Sequence, residues 1–263
     1  MAIEIFNRRE NKYLLDEAAF IRISDRLSHV METDAHNKAR FTYPICNIYY
    51  DTMDSSLIRA SLGKPRYKEK LRLRSYGAPE AGSEVFVEIK KKYCGVVNKR
   101  RSAMLLPEAY EFLASGAIPE LKPNMNAQVL RETQYMLSRL ELFPRTFISY
   151  ERRALFGTDG SDLRVSFDTR IMTRRDDLRL EAGIYGEPLL RSGQWLMEIK
   201  TDGAFPVWLA KLLSELRIYP VSFSKYGAEY LRTLKKAQAA QNESVAVLLQ
   251  RPDLSKIRAL ERV

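Results

Sequence analysis

The chain has 263 residues, 45% of them hydrophobic, and carries a net charge of +10 with only two histidines and two cysteines. That length and apolar content supply a real core for one large domain or two small ones. No apolar run is long enough to span a membrane, the start MAIEIFNRRENKYLL lacks a signal-peptide pattern, and the Cys and His spacings match no zinc or CxxC motif. The expectation is therefore a globular, cytoplasmic protein without histidine-based catalysis, whose two cysteines read as structural thiols.

In chain order, IEIFNRRENKYLL reads as a strand, and Asp16 as the N-cap of a helix with Phe20, Ile23, Leu27, Val30 and Met31 on one face. FTYPICNIYYDT is rich in aromatic and β-branched residues and reads as a strand, with a turn and short helix after it. Two basic strands follow. Pro107 fits the first turn of a helix through PEAYEFLAS that stops at Gly116, and helical spacing runs from Asn126 to Leu142. Strands resume at RTFISYERRALFG, DLRVSFDTRI and QWLMEIKTD, and helices at PVWLAKLLSEL and SKYGAEYLRTLKK. No repeat or linker divides the chain, so residues 1–237 read as one domain and 238–263 as a tail, helical or flexible, that offers a site for a membrane or protein partner.

The positive charge is concentrated. Between Lys64 and Arg101 there are twelve Lys and Arg against four Glu. Because strand side chains alternate between two faces, RYKEKLRLRSY separates Arg66, Lys68, Lys70, Arg72 and Arg74 from Tyr67, Leu71 and Leu73. The next strand separates Glu88, Lys90 and Lys92 from Val85, Val87 and Ile89; RVSFDT and WLMEIK repeat the pattern with Arg164, Ser166 and Asp168, and with Glu198 and Lys200.

A solvated antiparallel face explains such alternation as readily as a binding surface. Five successive like charges nevertheless repel one another unless an anion lies among them. The carboxylates Glu10, Glu88, Asp168 and Glu198 on these strands suit a divalent metal beside a phosphate chain. Closed into a barrel with the charged faces inward, the strands form a polyanion tunnel with helices covering the apolar outside, an α+β fold. Tyr49, Tyr50, Tyr93 and Tyr150 read as barrel packing. Nucleic-acid binding has the charge but no recognised motif. A P-loop is excluded, because Gly63-Lys64 is followed by Pro65 and no GxGxxG occurs.

The ordered segments RRENKYLL, IYYDT, KLRLRSYG, VEIKKKYCGVVNKRR, ISYERRALF, LRVSFDT, LMEIK and FSKYG resemble the polyphosphate polymerase (VTC) domain of the vacuolar transporter chaperone family, within the triphosphate tunnel metalloenzymes. The resemblance spans about residues 8 to 230 and implies an antiparallel β-barrel whose tunnel binds ATP and growing polyphosphate. It implies phosphate-holding, catalytic roles for Lys12, Arg72, Arg74, Lys90, Arg152, Arg164 and Lys225, with Lys99 a further phosphate contact. It also implies Glu198 as ligand of a Mn²⁺ or Mg²⁺ cofactor. Lys70, Glu10, Glu88, Arg101, Asp168 and Lys200 are second-rank candidates by face and neighbourhood. Arg100 and Arg101 compete with Lys99, and Arg153 competes with Arg152. Where tunnel hydrolases and related cyclases begin with ExExK, this chain has Arg8, Glu10 and Lys12, which favours a polymerase over a hydrolase. A tunnel tripolyphosphatase or nucleoside triphosphatase, and a non-catalytic module binding polyphosphate or inositol phosphates, are the alternatives.

Overall fold

The computed structural model describes residues 5–6, 9–34, 37, 40–94, 96–158 and 162–249, with side chains between 9 and 242. The chain begins with β1 (Ile5–Phe6), β2 (Arg9–Leu15), α1 (Glu17–Ser28), β3 (Met31–Thr33), β4 (Tyr43–Asp51) and α2 (Ser56–Leu62). It continues with β5 (Tyr67–Tyr76), β6 (Glu84–Tyr93), β7 (Val96–Leu105), α3 (Leu106–Ser115) and α4 (Ala127–Arg139). The last elements are β8 (Phe143–Gly157), β9 (Arg164–Arg174), β10 (Glu187–Pro188), β11 (Trp195–Thr201), α5 (Val207–Glu215) and α6 (Lys225–Leu249).

The main sheet runs β1-β7-β6-β5-β4-β8-β9-β11-β2, with β10 added to β9 and β3 to β8, and the pairings are antiparallel. Strands β1 and β2 end opposite edges of this order, yet only two residues separate them in the chain. A two-residue connection reaches no more than ~10 Å, so the edges must meet and the sheet curls into a barrel-like tunnel.

Period-two alternation sorts the side chains as expected. Leu71, Leu73, Val85, Val87, Ile89 and Met104 turn outward and are buried beneath Phe112 and Leu113 of α3 and Val129, Leu130 and Met136 of α4. A second outer core joins Tyr13, Val165, Phe167, Met197 and Ile199 to Phe20, Ile23 and Leu27 of α1 and Leu209, Leu212 and Leu213 of α5. The apolar faces are thus outside, and the helices keep water from them.

The interior differs in one respect from a uniformly charged lumen. Strands β4 and β8 turn Tyr43, Ile45, Tyr49, Ile148 and Tyr150 inward, and these pack with Ile58 of α2 and Tyr226 of α6. Small barrels have little spare interior volume, and this wall fills part of it. Tyr226 also stacks on Tyr49, with centroids 4.9 Å apart, and donates to buried Asp51 at 2.9 Å.

The Asp16 carboxylate caps α1 by accepting from the Ala19 amide at 2.7 Å, and Asn126 caps α4 through the Gln128 and Val129 amides. Gly116 ends α3 at φ 73°, a left-handed position that glycine occupies without Cβ strain. The expected α1 row was too long. The helix ends at Ser28, Val30 is 46% exposed, and Met31 is buried as the first residue of β3, captured by pairing with the end of β8. Cys46 is a buried core thiol as expected, but Cys94 is exposed at φ 45° in the β6–β7 turn, so only one cysteine serves packing. Helix α6 runs unbroken past residue 237 to Leu249. The later tail residues, Arg8 and His36 lie outside the described residues.

Candidate functional site

Strand register gathers the inward charges into two groups. On one wall Lys70, Lys90 and Lys99 stand directly opposite one another across β5, β6 and β7, and Arg72, Glu88 and Arg101 form the next rung. On the other wall Lys12 opposes Glu198, Glu10 opposes Lys200, Lys200 opposes Arg164, and Asp168 opposes Arg152.

In the first group the buried Glu88 accepts from Arg72 through Nε at 2.7 Å and Nη2 at 2.6 Å. Its other oxygen lies 3.0 Å from Lys99 Nζ and 3.6 Å from Arg74 Nη1. Burial alone pushes a carboxyl's pKa up, but these three cations outweigh it and hold Glu88 well below the usual carboxylate range. Arg74 is fixed by Asn47, which accepts from Nε at 2.9 Å, and by the Tyr150 hydroxyl at 3.1 Å; the Tyr49 hydroxyl lies 3.0 Å from Arg72 Nη1. Lys70 pairs with no carboxylate among the described residues. It donates to Ser224 at 3.3 Å, and burial, aided by repulsion from Lys90, Lys12 and Lys68, pulls its ammonium down to about 8.

In the second group Asp168, fully buried, receives a bidentate pair from Arg152 at 2.6 and 2.7 Å and a bond from Lys225 at 2.5 Å. Glu198 lies 3.1 Å from Lys225, 3.3 Å from Lys12, 3.3 Å from Lys200 and 3.8 Å from Arg152. Lys12 bridges onward to Glu10 at 3.1 Å, and Lys90 reaches Glu10 at 3.6 Å, joining the two walls across the lumen. Burial raises both glutamates, yet Lys12, Lys225, Lys200 and Arg152 hold Glu198 well below its ordinary value, and Lys90, Lys200 and Lys12 bring Glu10 to about 2. Lys225 comes from the first residue of α6, so that helix delivers a cation into the barrel.

Lys12, Glu10, Lys70, Arg72, Arg74, Glu88, Lys90, Lys99, Arg152, Asp168, Glu198, Lys200 and Lys225 therefore lie in one connected cluster of inward side chains. Arg164 shares the inward face but sits at its end, 3.6 Å from Asp34 and over the Phe156 ring. Arg101 faces inward yet is exposed, resting 4.4 Å over Phe86. Two of the three competitors point away: Arg100 pairs with Glu132 on α4, and Arg153 lies over Phe41 outside the barrel. Sequence reading missed the polar role of Asn47, Tyr49 and Tyr150. The alternation in YPICNIYYD, which puts Asn47 and Tyr49 on one face, is the signal that would have found it.

The fold and this lumen define an α+β tunnel protein lined by cations. The chain belongs to the VTC domain family, whose model matches residues 7–234. Among solved structures it is similar to a protein of Bacillus halodurans named as an adenylate cyclase, at 17% identity and TM-score 0.50 over 85% of this chain and 96% of that one. A protein of Hippeastrum, named as an adenylyl cyclase with dominant triphosphatase activity, aligns at 18% identity and TM-score 0.47 over 85% and 93%. The first likeness supports the tunnel fold. No curated protein matches the chain. Among the described residues no helix is long and apolar enough to cross a membrane.

A divalent ion fits this donor set in one way. No group of three or more His, Cys, Asp or Glu that could by itself cage a metal stands together among the described residues. Mg²⁺-type sites need only one or two carboxylates when substrate phosphates provide further oxygens. Glu198, with Glu10 sharing Lys12 beside it, meets that requirement.

Proposed function

We propose that this protein is a polyphosphate polymerase that transfers the γ-phosphate of ATP to the end of an inorganic polyphosphate chain. The observation that carries the reading is the connected lumen cluster, in which Lys70, Lys90 and Lys99 stand in one row and cations outnumber acids: Glu10 reaches Lys90, and Lys99 shares the single Glu88 with Arg72 and Arg74. Such a row is stabilised by a polyanion, and the VTC family membership supports phosphate chains as that polyanion.

Phosphoryl transfer is served mainly by positioning and charge stabilisation. Arg72, Arg74 and Arg152, each held by hydrogen bonds to neighbours, present rigid guanidinium forks to phosphate oxygens, while Lys12, Lys90, Lys99 and Lys225 supply point charges. Arg164, Lys70, Arg101 and Lys200 extend the cationic surface. A terminal phosphate oxygen attacks the γ-phosphorus, the bond from that phosphorus to the β,γ-bridging oxygen breaks, and ADP leaves with the bond's electron pair. The nucleophile is already anionic, so no general base is required. A Mn²⁺ or Mg²⁺ held by Glu198, with Glu10 close by, would supply charge neutralisation at the phosphate oxygens.

The neighbouring carboxylates Glu10 and Glu198 favour a second reading, a tunnel triphosphatase in which water accepts the phosphoryl group. One assay separates the readings: purified protein with ATP and Mn²⁺, polymer resolved on a gel, and ADP and free phosphate measured together. Polymer with equal ADP supports the polymerase. ADP with only free phosphate replaces it with the triphosphatase, and tight polyphosphate binding without ADP replaces both with a binding module.

A further inference from the structure

At one end of the charged cluster the inward positions change from cationic to aromatic. Phe86 is two residues from Glu88 on β6 and stands directly opposite Arg74, while Tyr76 ends β5. The Tyr76 and Phe86 rings meet edge to face at 5.8 Å, Tyr43 lies 6.2 Å beyond, and Arg101 spreads 4.4 Å over Phe86 with Nη1 3.3 Å from the Tyr76 hydroxyl. Packing alone does not explain this grouping. Tyr76 is 42% exposed, Arg101 is exposed, and the cross-strand neighbour of Phe86 on β7 is the small residue Ala103.

We propose that Tyr76, Phe86 and Arg101 form a stacking platform for the nucleobase of the nucleoside triphosphate, so that the triphosphate enters the lumen while the base stays at this rim. The inference rests on the phosphate-transfer reading above and adds to it the end of the tunnel at which the nucleoside sits. Two residues along β7 separate Arg101 from Lys99, a distance of ~7 Å that one ribose spans between phosphate and base. A guanidinium plane and aromatic faces suit any base, because every base offers a π-face, so the rim holds nucleotides by stacking rather than by reading their edges.

The test compares a ligand with a base and one without. With a chelator present to stop turnover, 2-aminopurine riboside triphosphate is titrated by fluorescence, and ATP and tripolyphosphate by calorimetry. Stacking quenches the 2-aminopurine. Phe86→Leu weakens ATP at least about fivefold while tripolyphosphate affinity stays within about twofold. Arg101→Lys, which keeps the charge but removes the planar surface and leaves the apolar packing intact, shows the same selective loss. Unquenched fluorescence, equal weakening of both ligands, or unchanged ATP affinity in both variants overturns the platform. If tripolyphosphate binds the wild type and ATP binds no better, the platform fails while the phosphate site stands. If neither ligand binds, the phosphate-transfer reading fails and takes the platform with it.

Discussion

The Glu88 group and the Asp168–Glu198 group use the same residue types to different ends. Around Glu88, one buried carboxylate is shared by Arg72, Arg74 and Lys99, and among the described residues no acid pairs with the adjacent Lys70, so positive charge is left over. Around Asp168 and Glu198, two carboxylates meet Arg152, Lys225, Lys12 and Lys200, and Glu10 adds a third acid. On the proposed function, the first group offers charge to a phosphate chain and the second offers a carboxylate to a cation travelling with it. In both, a buried acid fixes the rotamers of the cations that surround it, which is preorganisation bought with desolvation.

Breaking the second group should cost most. Arg152→Ala removes a bidentate partner and leaves Asp168 buried with Lys225 as its remaining strong contact, so chemical denaturation should show a stability loss of about 3–5 kcal/mol. Adding Asp168→Asn to that variant should recover part of the loss, and no recovery would mean that the pair is not the source.

Glu198→Gln separates the two roles. Metal-dependent ADP release should fall by about 10²–10³-fold, on the scale of one preorganised electrostatic contact, while tripolyphosphate affinity under chelation holds or improves. Parallel loss of both would remove Glu198 from the cation-holding role.

Lys70 sharpens the first group through pH. Its folded pKa of about 8 lies below the ordinary 10.5, so between those values the unfolded chain binds more protons and the ligand-free protein gains stability as pH rises. A phosphate bound beside Lys70 raises that pKa again. Binding should therefore take up a proton, and affinity should fall as pH climbs through about 8 and above. Calorimetry in buffers of different ionisation enthalpy measures the uptake, and Lys70→Gln should reduce it; identical uptake in that variant would assign the proton elsewhere.

The smallest effect belongs outside the barrel. Arg100 points to Glu132 on α4, so Arg100→Gln should alter stability by under about 1 kcal/mol and leave polyphosphate binding near wild type. A loss as large as that of Lys99→Gln would mean that β7 faces the other way.

Much of this was legible because strand periodicity is local. Once RYKEKLRLRSY and VEIKKKY are read with period two, Leu71, Leu73, Val87 and Ile89 must face one side and Arg72, Arg74, Glu88 and Lys90 the other, as they do. The choice among Lys99, Arg100 and Arg101, or between Arg152 and Arg153, was not settled until register put Lys99, Arg101 and Arg152 on the inward face. Tyr49 and Tyr150 looked like packing because a buried tyrosine does pack, and their hydroxyl contacts with Arg72 and Arg74 depend on strands brought together from distant parts of the chain.

The sequence by itself determined the two-faced strands, the helix cap at Asp16, the concentration of charge between Lys64 and Arg101, and the family. Those follow from nearest-neighbour geometry and residue chemistry. Tertiary structure decided which acid partners which base: Lys225 meets Asp168 across 57 positions, and Lys90 meets Glu10 from the opposite wall. It also decided that β4 and β8 line part of the lumen with tyrosine and isoleucine. The physical reason is that charge pairing and interior volume depend on distances through space, and only the curling of the sheet sets those distances.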